Sequence, residues 1–488
     1  MKAERIALIV AVAAAAALRL WDLAGRPLWL DESWSRWMAE QGWAGLLASA
    51  RAYDAHPPLY YSLLKLWHGI AGATPLGLRS LSVLAGLALV PLAWAAARRA
   101  GLPRRAAPFA ATAVALSPVL VVASRQARPY APFALAFALA LWAALTLLNG
   151  GRRRALAWLT YLAALELVLW LHGLGALFAA ALGGGLLAGL ALQRRLRREL
   201  VPFLAVHALA GLAWLPCLLA ILEQRQAWTD TWLRFVWAEV PAGLVGGLAA
   251  PGVAGLPVLL LALLGGAALL RDAERRPAGL LLAAVALVPA ALAILVSAVS
   301  SPIFLPRTLA PSALPVLLLA AAGLGAIAGR PARAAAGVAA LAFLLASSIA
   351  QVARPPEERW DALAALLEER VRPGEEVWLL PNELALPLGF AGHDGARVRG
   401  IPAPFPAPAH VGPRYSGTRA VPGIGPDDAA RLVADARARG VGGVWLVSRF
   451  AFWFDPERRL RRTLGRPVAA ERGFAPLIVE YYRLQPEA

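Results

Sequence analysis

The sequence predicts a polytopic α-helical membrane protein that ends in a small α/β domain. Apolar residues make up 59% of the 488 residues, and 43 glycines come in addition. Soluble domains hold about 45–50% with glycine included. Apolar stretches of membrane-spanning length recur up to about residue 352, and helix-like and strand-like stretches alternate from there to the end. This pattern excludes both an ordinary soluble enzyme and a disordered chain.

Eleven apolar runs are long enough to cross a bilayer, which takes about 17–25 residues. The first run follows a short basic segment, as in a signal peptide. Arg19 and Trp21-Asp22 stand where a cleavage site of small residues would be, so we interpret this run as a retained anchor. The predicted spans are about 6–22, 76–97, 106–123, 129–148, 155–171, 173–192, 200–221, 254–270, 278–299, 306–328 and 334–352.

The placement of charge predicts the orientation of the chain. A formal net charge of +18 first suggests a nucleic-acid partner. However, the N-terminus and the alternate short connections between spans hold 18 basic and only four acidic residues. This is the positive-inside pattern. We therefore predict a multi-pass protein of the cell inner (plasma) membrane, with a cytoplasmic N-terminus, an extracytoplasmic C-terminal domain and no nucleic-acid partner.

The predicted orientation places three non-spanning segments on the outer side: a first loop at about 23–75, a second at about 222–253, and the tail, 353–488. We expect two domains, a transmembrane domain over 1–352 and the α/β domain over 353–488. Cys217 is the single cysteine of the sequence. An intrachain disulfide and a cysteine-based metal cluster are therefore excluded.

Within the tail, apolar stripes and short apolar runs alternate along the chain. Because helices and strands alternate, the tail is predicted to be a small α/β domain. Helices are expected over Glu357–Arg370 and Asp427–Arg439, and strands over Val377–Leu380, Val444–Val447 and Leu477–Tyr482.

The first outer loop carries the residues with the clearest chemical potential. Asp31 and Glu32 follow the first span, and Asp54 and His56 come later in the same loop. Tryptophans between them recur at roughly helical spacing, which is typical of a helix in the membrane interface. A carboxylate held near the bilayer surface can accept a proton from a hydroxyl group or bind a divalent cation.

These motifs resemble a known family. Asp31-Glu32, then Asp54-Ala55-His56-Pro57-Pro58-Leu59-Tyr60-Tyr61, then Gly77-Leu78-Arg79-Ser80, are similar to the bacterial GT-C glycosyltransferases. More narrowly, they resemble the family-39-like branch that includes protein O-mannosyltransferases and the aminoarabinose transferase of lipid A. Ala127-Arg128-Pro129-Tyr130 and Phe304-Leu305-Pro306-Arg307 look like the same branch. The resemblance covers about residues 1–350 and is dense over 18–130.

The resemblance implies a GT-C-like membrane glycosyltransferase, a hexosyl- or pentosyltransferase. Such an enzyme moves a sugar from polyprenyl phosphate to a hydroxyl group of an envelope glycan, lipid or protein, with inversion at the anomeric carbon. Asp31 corresponds to the general base that deprotonates the acceptor, since a hydroxyl group is a poor nucleophile until a base removes its proton. Glu32 would orient the acceptor or the base.

The resemblance also implies residues that bind the substrate. Asp54 and His56 would shape the site or hold a divalent cation, the one candidate cofactor. Cationic side chains at predicted outer ends of spans would meet the negative charge of the lipid phosphate. The substrate-binding candidates at these span ends are Arg79, Arg128, Tyr130 and Arg307.

Each of these residues also has a structural interpretation. Asp31 and Glu32 suit a helix N-terminus, His56 suits a cap on a Pro-Pro turn, and Arg79 suits a side chain that snorkels to the interface. Arg125 lies three residues before Arg128 and could take its place.

Two alternatives for the function stay open. A transporter or flippase for polyprenyl-linked glycans would show paired inverted halves, and the sequence has no such symmetry. A scaffold that binds cell-wall glycan with an inactive site is the other. One departure bears on the reaction, because Leu59-Tyr60-Tyr61 follows His-Pro-Pro where the mannosyltransferase branch has a small residue and then Gly-Lys. This argues against transfer of mannose to protein.

Overall fold

The structure is a computed structural model that describes residues 2–54, 56–150, 153–224, 233–393, 395, 397–408 and 420–484. Residues 225–232 of the second predicted outer loop lie outside the described residues, as do residues 409–419 of the tail.

Helices dominate the chain up to residue 352. In chain order they are α1 (Lys2–Leu20), α2 (Leu30–Glu40), α3 (Trp43–Tyr53), α4 (Leu59–Ala71), α5 (Pro75–Arg99), α6 (Ala106–Leu116), α7 (Pro118–Ser124), α8 (Tyr130–Asn149), α9 (Arg154–Leu171), α10 (Gly175–Leu192), α11 (Leu196–Gln224), α12 (Val240–Leu248), α13 (Leu256–Arg271), α14 (Arg276–Val299), α15 (Ala310–Ala326) and α16 (Arg330–Val352).

The tail alternates helices and strands, as the sequence predicts. Its elements are α17 (Trp360–Arg370), β1 (Glu375–Leu380), α18 (Ala385–Phe390), β2 (Val398–Gly400), α19 (Asp428–Ala438), β3 (Gly443–Ser448), α20 (Ala451–Phe454), α21 (Arg459–Leu464), β4 (Ala469–Glu471) and β5 (Ile478–Arg483).

The chain divides into two compact units. The helical unit comprises Met1–Ala24, His56–Ala220 and Phe235–Arg354. The mixed unit comprises Gly25–Ala55, Ile221–Arg234 and Pro355–Ala488. The tail therefore shares a unit with the part of the first loop that carries Asp31 and Asp54.

The predicted spans are recovered in the helical unit. Across the described residues, nine helices are long and apolar enough to cross a membrane, and the bent pair α6–α7 raises the number to ten. The remaining predicted span, the first in the chain, corresponds to α1, a 19-residue helix with Glu4 in its first turn and Arg19 in its last. The predicted fold class, a polytopic helical protein with a small α/β domain, is confirmed.

The bend between α6 and α7 has a local cause. The two helix axes differ by 53°, and the break falls at Ser117 and Pro118. Proline has no N–H and clashes with the preceding turn, so it ends one helix and suits the first position of the next. The Ser117 Oγ accepts a hydrogen bond from the Leu120 N–H at 3.5 Å and caps α7.

Two glycines allow α13 and α15 to pack backbone to backbone. A Cβ at Gly265 would overlap the Leu319 carbonyl oxygen, and a Cβ at Gly323 would overlap the Leu261 carbonyl oxygen. Membrane helices associate through small residues of this kind, because hydrocarbon supplies no hydrophobic force between them. These two glycines therefore allow the close approach of α13 and α15.

A five-stranded sheet organises the mixed unit, with strand order β2-β1-β3-β5-β4. β1 pairs in parallel with β2 and β3, while β5 runs antiparallel to both β3 and β4. Val377 on β1 lies opposite Trp445 on β3. The carboxyl ends of β1 and β3 therefore lie together at one edge of the sheet, where open α/β folds place their functional groups.

The core of the mixed unit forms between α17 and the sheet. The predicted apolar stripe of α17, Trp360, Leu363 and Leu367, is fully buried there. Leu30, the first residue of α2, belongs to the same core. Burying a leucine side chain contributes about 1.5–3 kcal/mol, so α2 is anchored in the hydrophobic core of the tail.

Candidate active site

Asp31 and Glu32 lie in the first turn of α2, as the motif predicts. The N-terminus of a helix carries a partial positive charge, which favours acidic side chains at these positions. The Oε2 of Glu32 accepts a hydrogen bond from the Trp29 N–H at 3.4 Å, and the Glu32 side chain is fully buried. Glu32 thus caps its own helix, whereas Asp31 remains partly exposed.

Glu358 of the tail meets the same helix end. Its Oε2 accepts hydrogen bonds from the Leu30 N–H at 2.9 Å and from Trp360 Nε1 at 2.7 Å. Its Oε1 lies 2.8 Å from the Nη2 of Arg449. Burial raises the pKa of Glu358, while the Arg449 charge and the two hydrogen bonds oppose this effect and the Asp31 charge adds to it.

Glu383 brings a second acid from the tail to this region. It lies in the short 3-10 turn Asn382–Leu384, just after β1. The pKa of Glu383 is raised to about 8, chiefly by burial; the negative charges of Asp31 and Glu358 contribute to this rise, and the charge of Arg449 opposes it. Glu383 is therefore mostly protonated at pH 7, so this carboxyl group can donate a hydrogen bond.

Asp54 ends α3 in the mixed unit. Its Oδ2 accepts a hydrogen bond from Trp34 Nε1 at 2.7 Å, and the side chain is buried. Trp34 also packs against Trp37 and Phe405, with ring centroids 5.4 Å away in both cases. Asp54 therefore orients an aromatic cluster that joins α2 to the tail.

His56 pairs with His172 in the helical unit. The two ring centroids are 4.5 Å apart. The Nδ1 of His56 accepts from the Gly173 N–H at 3.4 Å, and the Nδ1 of His172 accepts from the Leu174 N–H at 3.1 Å. In a neutral ring of this kind the proton lies on Nε2.

Two arginines act on this histidine pair. Burial holds the pKa of both histidines well below its usual range, and the charges of Arg128 and Arg307 lower it further. His172 also feels the charge of His56. The histidines are therefore neutral at pH 7. The fixed positive charge of this region comes from the two arginines, which approach from the start of α8 and from the 3-10 turn before α15.

An apolar cavity of about 160 Å³ opens beside Arg307. Tyr130, buried at the first position of α8, lies in its wall, and its ring is 5.8 Å from that of His172. The cavity is lined by Pro118, Val119, Val122, Ala123, Gln126, Tyr130, Gly246, Gly247, Pro251, Pro306, Arg307 and Gln351. An apolar wall that carries an arginine suits a lipid chain that ends in an anionic group.

Two other arginines, Arg79 and Arg125, bind backbone carbonyl oxygens at the end of α1 and just after it. Arg79 Nη1 donates to the Leu23 carbonyl oxygen at 3.0 Å, and the side chain is buried. Arg125 Nη1 donates to the carbonyl oxygens of Leu18 and Arg19, both at 3.0 Å. The Arg125 contacts satisfy carbonyls that the C-terminus of α1 leaves without intrahelical partners, and the Arg79 contact holds the segment that follows α1.

Asp54 and His56, the predicted cation ligands, both accept hydrogen bonds from protein groups. Within the part of the chain that the structure describes, no three His, Cys, Asp or Glu side chains are placed to hold a metal ion. Asp54 accepts from Trp34, and the Nδ1 of His56 accepts from a backbone N–H.

Sequence reasoning missed the contributions of the tail. Glu358, Glu383 and Arg449 lie more than 300 residues after Asp31. The positions of Glu383 and Arg449, just after β1 and just after β3, are the signal that could have identified them.

A bundle of membrane-spanning helices, an acid-bearing helical loop and a small sheet domain together resemble the architecture that the sequence motifs predict. Residues 55–219 match the model of a family described as dolichyl-phosphate-mannose-protein mannosyltransferase. The resemblance to the family-39-like branch of GT-C glycosyltransferases that the sequence predicts is thereby confirmed. A comparison with curated proteins finds no match.

Solved structures share this fold along nearly the whole chain. ArnT from Cupriavidus metallidurans bound to undecaprenyl phosphate is 16% identical with a TM-score of 0.62, and the match covers 97% of both chains. Its apo form is 17% identical, with the same score and coverage. The oligosaccharyltransferase AglB from Archaeoglobus fulgidus, in complex with an inhibitory peptide and a dolichol-phosphate, is 13% identical with a TM-score of 0.56; the match covers 94% of this chain and 72% of that one.

Proposed function

We propose that the protein is an integral membrane glycosyltransferase. It moves a sugar from a polyprenyl-phosphate donor to a hydroxyl group of an envelope glycan, lipid or protein on the extracytoplasmic side of the inner membrane. The observation that carries this proposal is the arginine-bearing apolar cavity of the helical unit. The two solved relatives with bound undecaprenyl phosphate and dolichol-phosphate support the donor class.

In the proposed mechanism, Arg128 and Arg307 bind the lipid phosphate. Bond breaking at the anomeric carbon leaves additional negative charge on that phosphate. Preorganised cations in a desolvated site stabilise such charge more strongly than water does. The neutral pair His56 and His172 adds hydrogen-bonding groups to this region without adding charge, and Tyr130 packs beside them.

In the same mechanism, Asp31 acts as the general base. The acceptor oxygen forms a bond to the anomeric carbon while the bond from that carbon to the phosphate oxygen breaks. The electron pair leaves with the polyprenyl phosphate, and the acceptor proton moves to the Asp31 carboxylate. Attack opposite to the leaving group inverts the anomeric configuration. Glu32 caps α2 and orients Asp31, while Asp54 shapes the site through Trp34.

The test measures binding and transfer separately. Purified protein in lipid nanodiscs binds labelled undecaprenyl phosphate, and transfer is measured with polyprenyl-phosphate sugars and membranes from cells that lack the gene. We expect Arg307→Ala to weaken phosphate binding, whereas the exposed Arg330→Ala binds like wild type. If neither wild-type binding nor wild-type transfer is detected with any donor, the proposal is wrong.

A second experiment distinguishes a transporter from an enzyme. For this test the protein is placed in sealed vesicles, instead of nanodiscs, and the vesicles contain a labelled lipid-linked sugar. Movement of the lipid across the bilayer without formation of a new glycosidic bond would show that the cavity serves transport instead of transfer.

A further inference from the structure

The first turn of α2 depends on a carboxylate from the tail. The first four N–H groups of a helix have no partners within the helix. At α2, the Leu30 N–H donates to Glu358 Oε2 at 2.9 Å, across 328 residues of sequence. The next residue is Asp31, so the backbone that carries the proposed base is held by Glu358 directly.

Glu358 itself has little freedom to move. Trp360 Nε1 holds one carboxylate oxygen at 2.7 Å, and Arg449 Nη2 lies 2.8 Å from the other. Glu358 is 2% exposed and Arg449 is 9% exposed. A buried carboxylate is tolerated only when such partners compensate its charge.

The sheet fixes Arg449 in turn. Arg449 directly follows β3, and its backbone N–H donates to the Leu380 carbonyl oxygen at the end of β1, at 2.9 Å. Its guanidinium also lies 4.6 Å from the centroid of the Phe450 ring. A rigid strand end thus determines where the guanidinium of Arg449 lies, and the chain of contacts runs from β3 through Arg449 and Glu358 to α2.

Other contacts hold the rest of α2 against the same domain. α2 packs against α18, and the Arg36 guanidinium lies 3.9 Å from the centroid of the Phe390 ring. Leu30 is buried in the core of the mixed unit. The helix is therefore docked along its length, and the Glu358 contact determines the position of its first turn.

We propose that the Glu358–Arg449 ion pair is a positioning device for Asp31, which makes the tail a part of the catalytic site. This inference rests on the proposed role of Asp31 as the general base. Neither Glu358 nor Arg449 touches the reacting atoms in this proposal; they act through the backbone of α2. A misplacement of a catalytic group by about 1 Å can cost roughly 100-fold in rate.

The experiment compares two substitutions of Glu358. Glu358→Ala removes both oxygens and is expected to lower kcat by about 10- to 100-fold, with the donor KM unchanged within about twofold. Glu358→Gln retains an oxygen for the Leu30 N–H but loses the charge that pairs with Arg449, so it is expected to recover only part of that loss. Arg449→Met, which leaves the carboxylate unpaired, is expected to lower kcat like Glu358→Ala. Glu369→Ala, on an exposed residue of the same unit, serves as the matched control.

The outcomes distinguish this inference from the proposed function. A wild-type kcat in Glu358→Ala would overturn the positioning role. The role would also be overturned if Glu358→Ala and Glu358→Gln lost the same share of kcat and that share matched the loss of folded protein measured by thermal unfolding. A fully active Asp31→Asn would overturn the proposed base instead. If Asp31→Asn is inactive while both Glu358 variants are fully active, the positioning role alone is refuted.

Discussion

The helical unit and the mixed unit carry opposite charge at their candidate functional groups. The helical unit presents Arg128 and Arg307 beside two histidines that burial keeps neutral. The mixed unit gathers Asp31, Glu358 and the protonated Glu383 around Arg449. In the proposed mechanism this is a division of labour: the arginines of one unit stabilise the anionic leaving group, and Asp31 of the other withdraws a proton from the acceptor.

The largest expected effect comes from removing the proposed base. General acid–base catalysis contributes about 10²- to 10⁴-fold, so Asp31→Asn should lower kcat by that factor. The affinity for undecaprenyl phosphate should not change, because the phosphate site belongs to the other unit. Steady-state transfer and equilibrium binding measure the two quantities. Glu40→Gln, at the exposed end of the same helix, is the control, and loss of lipid binding in Asp31→Asn would break the division.

Removing one arginine should give the converse result. A hydrogen bond to a charged group contributes about 1.5–3 kcal/mol, so Arg128→Gln should weaken donor binding by roughly 10- to 100-fold. Arg128→Lys should recover part of this affinity, since it keeps the charge and loses the fork of donors. Equilibrium binding of labelled lipid phosphate provides the measurement. A normal donor affinity in Arg128→Gln would remove this residue from the phosphate site.

A smaller effect concerns the stability of the mixed unit. Trp34→Phe keeps the aromatic packing but leaves the buried Asp54 without the indole N–H. The loss of one intramolecular hydrogen bond costs about 0.5–1.5 kcal/mol. We expect a lower midpoint in thermal unfolding, while Trp37→Phe, which keeps the Asp54 hydrogen bond, should change less. Equal midpoints for Trp34→Phe and wild type would show that this hydrogen bond contributes little.

The smallest effect is a change in pH dependence. Glu383 in the folded protein keeps its proton up to about pH 8, whereas in the unfolded chain it loses the proton near its ordinary value. The unfolded state therefore binds fewer protons between these values, and stability falls as pH rises through this window. Glu383→Gln cannot ionise, so its unfolding temperature should fall less between pH 5 and pH 8. Identical slopes for Glu383→Gln and wild type would contradict the raised pKa.

Features encoded locally were predictable from the sequence. The apolar runs gave the spans, since a membrane helix needs only its own residues to satisfy its backbone. Asp31 was placed after the first span, and the structure puts it in the first turn of α2. The stripe of α17 and the strands β1, β3 and β5 likewise follow from local periodicity.

Contacts between distant segments were not predictable in this way. Arg79 and Arg128 both sit at predicted span ends, yet Arg79 binds the Leu23 carbonyl while Arg128 acts on the histidine pair. The position of a residue at a span end determines how deep its side chain lies in the membrane, but it does not determine which neighbouring group the side chain contacts. The bond from Glu358 to Leu30 joins residues 328 positions apart and leaves no periodic trace in the sequence.

That bond has a consequence for biosynthesis. A ribosome adds about 5–20 residues per second, so roughly 15–65 s separate the synthesis of Leu30 from that of Glu358. During this interval α2 lacks the partner that holds its N-terminal turn. A polypeptide released early, before residue 358, could insert its first helices and still never assemble the turn that holds Asp31. Because α2 is synthesised before the tail, the first outer loop can hold Asp31 in place only after the tail has been completed.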